Sequence, residues 1–233
     1  MKLQTLAELN AERAARRPAI VVTDTESGEQ RLVKAKDFAA DPLRAELEKA
    51  LRMGKSTNVE VAGKRLFLNV HAPTAKLVIV GAVHISQALA PMAQSLGYDV
   101  TIVDPRTAFA SPERFPDVPL VAEWPDVALP PLDVDHYTAF VAVTHDPKID
   151  DPALLHAFER NCFYIGALGS RKTHAKRAER LRAQGAKETD IARIHAPIGL
   201  PIGAVSPSEI AIAVLAEITA QLRLPPKEKE AAA

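Results

Sequence analysis

The second part of the chain alternates between short apolar runs and helical patterns. The apolar run within residues 76–80 ends at Gly81 and leads into a helical pattern that stops at Gly97. Runs of the same kind lie at residues 98–103, 139–144 and 163–168. Continuous apolar strands separated by helices are typical of a parallel sheet that is covered on both faces. The pattern therefore predicts an α/β domain with helices on both faces of the sheet, over residues 74–224.

The first 73 residues have a different pattern, which predicts a small α+β domain. Its expected elements are a helix within residues 3–17, strands at 18–22 and 31–33, a helix capped by Asp41 and Pro42, and a hairpin around Gly63. Residues 225–233 are rich in Pro, Lys, Glu and Ala and are expected to form a flexible tail.

The turn after the first apolar run is a candidate anion site formed by Gly81, Ala82, Val83 and His84. A strand that passes through glycine into a helix directs backbone N–H groups and the helix dipole at one point, which favours phosphate. Val83 takes the place of the second glycine of the Gly-x-Gly-x-x-Gly pattern, so ordinary NAD chemistry is not favoured.

Asp104 ends the second run at about the distance where an acidic residue usually binds a ribose hydroxyl, and Arg106 follows it. This spacing predicts a Rossmann-like unit. The alternative interpretation is an α/β crossover that binds no ligand.

A second candidate lies after the strand at residues 139–144. His145 and Asp146 leave this strand together, and a histidine beside a carboxylate can transfer protons, contact phosphate or bind a metal. Two ligands are too few to predict a metal site. The alternative is a structural turn at Asp146 before Pro147, with Asp150 or Asp151 serving only as the cap of the next helix, which is expected to begin at Asp151 and Pro152.

The stronger candidate anion site comprises Gly169, Ser170, Arg171 and Lys172. It combines backbone donors, a helix N-terminus and two cations. The alternative is a plain helix cap with a solvated basic face, to which the further cations are assigned as surface charge: Lys176, Arg177 and Arg180.

The loop at residues 197–203 is rich in glycine and proline and is expected to curl over the ligand cleft. Ser206 and Glu209 have the spacing of a capping box for the last helix.

Composition restricts the function classes. The 233 residues are 47% hydrophobic and 25% charged, with 29 cationic and 29 anionic side chains, which favours small-molecule or protein partners over nucleic acid. No apolar run is long enough for a membrane span and no signal pattern is present, so a cytoplasmic location is expected. The one cysteine, Cys162, is expected to be a buried structural thiol.

Five motifs, in this order, resemble the C-terminal Rossmann domain of the XdhC/CoxI family. They lie at residues 81–85, 103–106, 144–150, 164–171 and 197–204. Members are known as xanthine dehydrogenase accessory proteins. The resemblance implies a maturation chaperone rather than a catalyst: a protein that binds the molybdenum cofactor (molybdopterin) and assists its sulfuration and insertion into a xanthine dehydrogenase or CO dehydrogenase type molybdenum hydroxylase.

With that cofactor in mind, we expect Ser170, Arg171 and the backbone near Gly169 to hold the phosphate. His145 and Asp146 would face the pterin ring or the metal, with His84 nearby. The implied partner is a molybdenum hydroxylase client; a cysteine desulfurase as second partner and a homodimer stay open.

Two features depart from the family pattern. Val83 stands where the family commonly has a second glycine, and residues 1–73 lack the Gly-Gly-Cys segment of longer members. The alternative function classes are an NAD(P)- or nucleotide-dependent oxidoreductase, supported by Asp104, and a nucleotide-sensing module on the same fold.

Overall fold

The computed structural model describes residues 2–225. Two compact units divide the chain, one extending to Pro73 and including Arg223 onwards, the other spanning Thr74–Leu222. The tail predicted at residues 225–233 lies outside the described residues, apart from Pro225.

The first unit is a four-stranded antiparallel sheet with two α-helices, in the strand order β2-β1-β4-β3. Its elements are α1 (Leu3–Ala14), β1 (Ala19–Asp24), β2 (Gln30–Lys34), α2 (Arg44–Met53), β3 (Thr57–Val61) and β4 (Lys64–His71). Alternate residues of β1 point to opposite faces, so that Ile20 packs on the side of Leu47 in α2 while Val21 packs on the side of Leu9 in α1. This arrangement matches the expected α+β fold.

The second helix of this unit begins later than the sequence pattern predicts. Asp41 was expected to cap a helix starting at Pro42, but α2 starts at Arg44. The Asp41 side chain instead accepts a hydrogen bond from the Leu43 backbone N–H at 2.9 Å, which closes a turn ahead of the helix.

The second unit is a six-stranded, entirely parallel sheet in the order β10-β9-β8-β5-β6-β7. The strands are β5 (Lys76–Val80), β6 (Asp99–Val103), β7 (Leu120–Val121), β8 (Thr138–Ala142), β9 (Tyr164–Ala167) and β10 (Ile194–His195). The predicted Rossmann-like sheet is therefore confirmed.

Helices cover both faces of this sheet. They are α3 (His84–Ser95), α4 (Pro125–Ala128), α5 (Pro147–Glu159), α6 (Arg171–Ala183), α7 (Glu188–Ile191) and α8 (Pro207–Arg223). Leu77 and Ile79 of β5 face the side that holds α3 and α8. Val78 and Val80 face the side that holds α5 and α6. Residues buried on both faces explain why the strands are continuously apolar.

The order of the strands places a topological switch point between β5 and β8. From β5 the chain moves to β6 on one side, and it later returns to build β8 on the other side of β5. The connections that follow β5 and β8 therefore diverge and leave a crevice at the carboxyl edge, which is where open α/β sheets bind ligands.

The helix after β8 starts five residues earlier than predicted. Asp146, rather than Asp151, is the cap of α5, because its side chain accepts the Lys148 N–H at 2.9 Å and Pro147 supplies the preset first helical φ. Pro152 consequently lies inside the helix, and the Asp151 side chain is free to bind Arg180 of α6.

The loop at residues 197–203 is fixed at its beginning. Ile198 is buried in the core against Gly166, and the Gly199 N–H donates to Glu217 Oε2 of α8 at 2.8 Å. The start of the loop therefore packs on the sheet and on α8, which corrects the expectation that the whole loop curls over the cleft.

Gly166 of β9 gives a direct test of this packing. A Cβ there would lie 2.5 Å from Ile198 Cδ1 and 2.8 Å from a Tyr164 ring carbon. We expect Gly166→Ala to lower the free energy of unfolding by about 1–3 kcal/mol through overpacking. Chemical denaturation measures the effect.

The matched control is the same substitution in an Ile198→Val background, which removes the nearest methyl group. The cost of Gly166→Ala should be smaller there. An equal cost in both backgrounds would contradict the assigned contact.

Candidate functional site

Three connections meet at the carboxyl edge of the parallel sheet. They follow β5, β8 and β9, which are consecutive neighbours in the sheet, and they contain the residues singled out from the sequence. Their local geometry decides which side chains are free to contact a ligand and which hold the connections in place.

Gly81 joins the first two connections. Its φ is +123°, and a Cβ there would lie 3.0 Å from Thr144 Cγ2 and 3.2 Å from the Thr144 backbone nitrogen. Only glycine combines this backbone conformation with such a close approach. The turn after β5 is therefore packed directly against the end of β8.

The start of α3 offers backbone donors at this turn. Val83 precedes the helix in an extended conformation, and no side chain caps the first turn. Ser86, at the position of the third glycine of the dinucleotide pattern, is buried and its hydroxyl donates to the Gly81 carbonyl. His84, the first helical residue, is exposed. Uncapped N–H groups at a helix start attract anions.

Asp104 is fully engaged by its own chain. Oδ2 accepts the Ala82 N–H at 2.7 Å and Arg106 Nη2 at 2.7 Å, while Oδ1 accepts Arg106 Nε at 2.9 Å and the Arg106 N–H at 3.0 Å. These four bonds fill the acceptor sites of a carboxylate. The geometry therefore gives Asp104 the role of holding the first turn, and a ribose hydroxyl would have to displace one of these bonds.

The pKa of Asp104 reflects this engagement. Complete burial alone would raise the pKa, but the hydrogen bonds from Arg106 and from the Ala82 backbone outweigh burial and hold the pKa below its usual value. Asp104 is consequently a stable, charged anchor between β5 and β6.

Asp150 organises the end of β8. This carboxylate is 1% exposed; Oδ1 accepts the Thr144 hydroxyl at 2.6 Å and the Thr144 N–H at 3.3 Å, and Oδ2 accepts the His145 N–H at 3.1 Å. Burial raises the pKa of Asp150, against the opposing influence of the Thr144 hydrogen bond and the Arg177 charge. The sequence placed Asp150 in a motif but did not predict this role.

His145 takes an unusual conformation as a result. Its φ is +64°, its backbone is tied to Asp150, and its side chain is exposed. Asp146 is half-buried and serves as the cap of α5. The cap confirms the scaffold role of Asp146, while a ligand-binding role for either residue stays a prediction.

Arg177 was expected to be surface charge, and this expectation is wrong. The side chain is 2% exposed, and its Nη2 donates to the Leu168 carbonyl at 2.8 Å and lies 3.9 Å from Asp150 Oδ2. Arg177 lies one turn before the fully buried Leu181 on α6. Because residues four apart share a helix face, the spacing to this apolar residue was the sequence signal that could have predicted the burial of Arg177.

Arg180 is also engaged rather than purely solvated. Its Nε and Nη2 bind the two Asp151 oxygens at 2.6 and 3.0 Å, in a bidentate pair that joins α6 to α5. Lys176 is exposed, as expected.

The start of α6 has the predicted form. Ser170 is the cap, with its Oγ accepting the Thr173 N–H at 3.2 Å, and Gly169 precedes it with a φ of +138°. Arg171 and Lys172 are exposed in the first turn. The structure thus brings a capped, cationic helix start to the same edge as His145.

Cys162 lies away from this edge, at the beginning of the connection into β9. It is buried, and burial raises the pKa of its thiol to about 12. Within residues 2–225, no three His, Cys, Asp or Glu side chains are grouped so as to hold a metal ion. A structural thiol is therefore what the environment of Cys162 supports.

Comparison with known proteins identifies the family. The XdhC Rossmann domain matches residues 77–218, more than half of the chain. The chain belongs to the XdhC family. The motifs at the carboxyl edge lie within this matched XdhC domain.

Three curated relatives support the assignment. The XdhC chain is 37% identical over 155 residues to the Escherichia coli (strain K12) protein YqeB, which is described as uncharacterized. It is 32% identical over 154 residues to a Bacillus subtilis (strain 168) protein described as a probable xanthine dehydrogenase subunit. It is 33% identical over 156 residues to the molybdenum cofactor insertion chaperone PaoD of Escherichia coli (strain K12).

These matches cover 66%, 66% and 67% of this chain, but 28%, 44% and 42% of the respective relatives. The chain thus spans less than half the length of the curated proteins it matches.

A solved structure shares the fold. A crystal structure described as a xanthine dehydrogenase from Bacillus halodurans matches with a TM-score of 0.58 and 18% identity, covering 93% of each chain. At this identity the likeness shows a shared fold alone. None of the helices within residues 2–225 has the length and apolar character needed to cross a bilayer.

Asp104 provides the prediction of this subsection. Because the folded-state pKa lies below that of an unfolded aspartate, the carboxylate stabilises the fold at neutral pH, and this contribution is lost as the pH falls through the folded-state value. Asp104→Asn should lower the free energy of unfolding by about 1.5–3 kcal/mol at pH 7. The difference from the native protein should shrink below about pH 4.

Urea denaturation measures this difference across pH 2.5–7, a range that brackets the ordinary aspartate pKa of ~4. Asp99→Asn, at the exposed first residue of β6, the strand that ends just before Asp104, is the matched control and should change stability little. A cost of Asp104→Asn that stays constant over the whole pH range would contradict the role assigned to the carboxylate.

Proposed function

We propose that this XdhC chain binds the molybdenum cofactor and assists its insertion into a xanthine dehydrogenase type molybdenum hydroxylase. The observation that carries the proposal is the cationic start of α6, at Arg171 and Lys172, which stands at the same sheet edge as the exposed His145. The names of two relatives, a molybdenum cofactor insertion chaperone and a probable component of xanthine dehydrogenase, point to the same cofactor.

The donor set fits a phosphorylated pterin. Backbone N–H groups at the start of α6, together with the Arg171 and Lys172 side chains, provide the charge-assisted donors that a phosphate group requires. Ser170 and Gly169 fix the position of this helix start.

The polar part of the cofactor would lie toward the crevice between β5 and β8. His145 and Asp146 on one side and His84 on the other supply exposed or half-buried polar groups there. The N–H groups of Gly81 and Ala82 are already bonded to the Val103 carbonyl and to Asp104, so the backbone donors come from the uncapped first turn of α3 after Val83. Asp104 with Arg106 holds the turn in place. The bound group itself would supply the molybdenum and its dithiolene ligand.

Sulfuration, if it accompanies insertion, belongs to a partner in this proposal. The one cysteine of the chain is buried with its pKa raised to about 12, whereas a cysteine that carries or transfers sulfur must be accessible as a thiolate. A cysteine desulfurase is the chemical class of partner that meets this need. CO dehydrogenase type clients and a homodimer remain predictions.

The competing interpretation, an NAD(P)- or nucleotide-dependent oxidoreductase, receives less support. Val83 replaces the glycine that lets a pyrophosphate approach the turn, and Asp104 has its four acceptor sites filled by Ala82 and Arg106. The same two features weigh against a nucleotide sensor.

The test is cofactor retention. Protein purified from a host that makes the cofactor is expected to carry a pterin, detected by ultraviolet-visible spectroscopy and mass analysis. Arg171→Ala should reduce the bound fraction and weaken the affinity for purified cofactor by about tenfold or more, the loss of one charge-assisted contact.

Arg182→Ala is the matched control, because Arg182 lies near the far end of the same helix in an exposed pair with Glu188. It should leave retention unchanged. Bound NAD or an adenine nucleotide in place of a pterin, or equal retention by both variants, would overturn the proposal.

A further inference from the structure

A small cleft lies between the beginning of α5 and the first three turns of α6. Its volume is about 180 Å³, and it is lined by His145, Pro147, Asp150, Lys172, Thr173, Lys176, Arg177 and Arg180. Four of these eight side chains are lysine or arginine. This volume accommodates a small anion together with part of the molecule that carries it.

Arg177 is the buried element of this cleft. Its Nη2 is bound to the Leu168 carbonyl, but its Nε and Nη1 have no hydrogen-bond partner in the structure. A buried donor without a partner costs free energy, and a charged donor costs more. The guanidinium is held in place by one bond, while two of its donor atoms are buried without a partner.

The neighbouring carboxylates do not meet this need. Asp150 uses its oxygens on Thr144 and His145, and its nearest approach to Arg177 is 3.9 Å. Asp151 is taken by the bidentate pair with Arg180. Neither acidic residue beside the cleft therefore neutralises Arg177 through a direct hydrogen bond.

Two further cations lie toward solvent. Lys172 and Lys176 are one helical turn apart on α6, and both are exposed. Side chains four residues apart project from the same helix face, so the two ammonium groups concentrate positive charge at the mouth of the cleft above Arg177.

We propose that this cleft binds a phosphoryl dianion, with Arg177 Nε and Nη1 as its inner donors and Lys172 and Lys176 as its outer ones. A guanidinium edge carrying Nε and one Nη matches two oxygens of a phosphate, which a lysine does not reproduce. The proposal extends the phosphate position at the start of α6 into this cleft through Lys172, which belongs to both. It rests on the proposed function only for the identity of the molecule that carries the phosphoryl group, which is the pterin. The site for the phosphoryl group is tested without that cofactor.

The first experiment uses inorganic phosphate and the full chain. Calorimetric titration and thermal unfolding in phosphate, against chloride at equal ionic strength, are expected to show saturable binding and a rise in Tm. The absence of both effects up to millimolar phosphate would overturn the site.

Variants locate the binding. The double variant Lys172→Ala/Lys176→Ala removes exposed charge without touching the core and should weaken phosphate binding at least tenfold. Lys187→Ala, an exposed lysine just before α7, is the matched control and should bind phosphate normally. Equal binding by both variants would overturn the site.

Arg177→Lys tests the inner donors. It keeps a positive charge near Asp150 but removes Nε and the paired geometry. We expect a folded protein, judged by circular dichroism, whose affinity for phosphate is at least tenfold lower. The phosphate-dependent rise in Tm should be correspondingly smaller. Unchanged affinity in the folded variant would contradict the role of Arg177. If this variant does not fold, the lysine double variant alone decides.

Competition between the cofactor and phosphate distinguishes a failure of the phosphoryl site from a failure of the proposed function. If protein loaded with the cofactor no longer binds phosphate, the carrier is the pterin. If loaded protein still binds phosphate, the assignment to the cofactor phosphate is overturned while cofactor binding stands. If phosphate binds but the cofactor never does, the proposed function fails and the anion site remains.

Discussion

The buried Asp150 carboxylate is the interaction on which the geometry of the carboxyl edge depends. It binds the Thr144 hydroxyl and the backbone of Thr144 and His145, and it faces Arg177 across 3.9 Å. One side chain thereby sets the end of β8, the left-handed conformation of His145 and the environment of α6. A buried charge is strongly destabilising without such compensation, so its partners are constrained together.

A second constraint acts at the turn after β5. Gly81 allows this turn to pack against Thr144, and Asp104 binds the Ala82 backbone from the neighbouring strand. The pKa values of the two carboxylates are shifted in opposite directions. Hydrogen bonds lower the pKa of Asp104 in spite of its burial, whereas burial raises the pKa of Asp150. Together they fix the two walls of the crevice without occupying it, and such preorganisation lowers the cost of binding a ligand there.

The sequence predicted the parts of the fold that local pattern controls. Continuous apolar runs identified the parallel strands, and Ser170 and Ser206 were identified as helix caps because a hydroxyl three residues ahead of a backbone donor is a local signal. The start of α5 was predicted wrongly, since two Asp-Pro pairs follow each other and only tertiary contacts to Asp150 and Asp151 select the first.

The candidate site was less predictable, because its central residues act across the fold. Arg177 sits in a basic helix that looks solvated in sequence, and its burial follows from packing α6 against α5. Asp104 has the spacing of a ribose-binding residue, yet its oxygens are filled by Arg106 two residues later. Spacing placed Asp104 at the carboxyl edge, but its filled hydrogen-bond sites and the burial of Arg177, which only the three-dimensional structure shows, decided what each residue does.

The most direct measurement is a crystal structure of the cofactor-loaded protein with anomalous data collected at the molybdenum edge. The account predicts a molybdenum peak at the carboxyl edge of the parallel sheet, beside the connections after β5 and β8, and phosphate density in the cleft that Arg177 lines. A molybdenum peak at the opposite edge of the sheet, or in the unit formed by the first 73 residues, would contradict it.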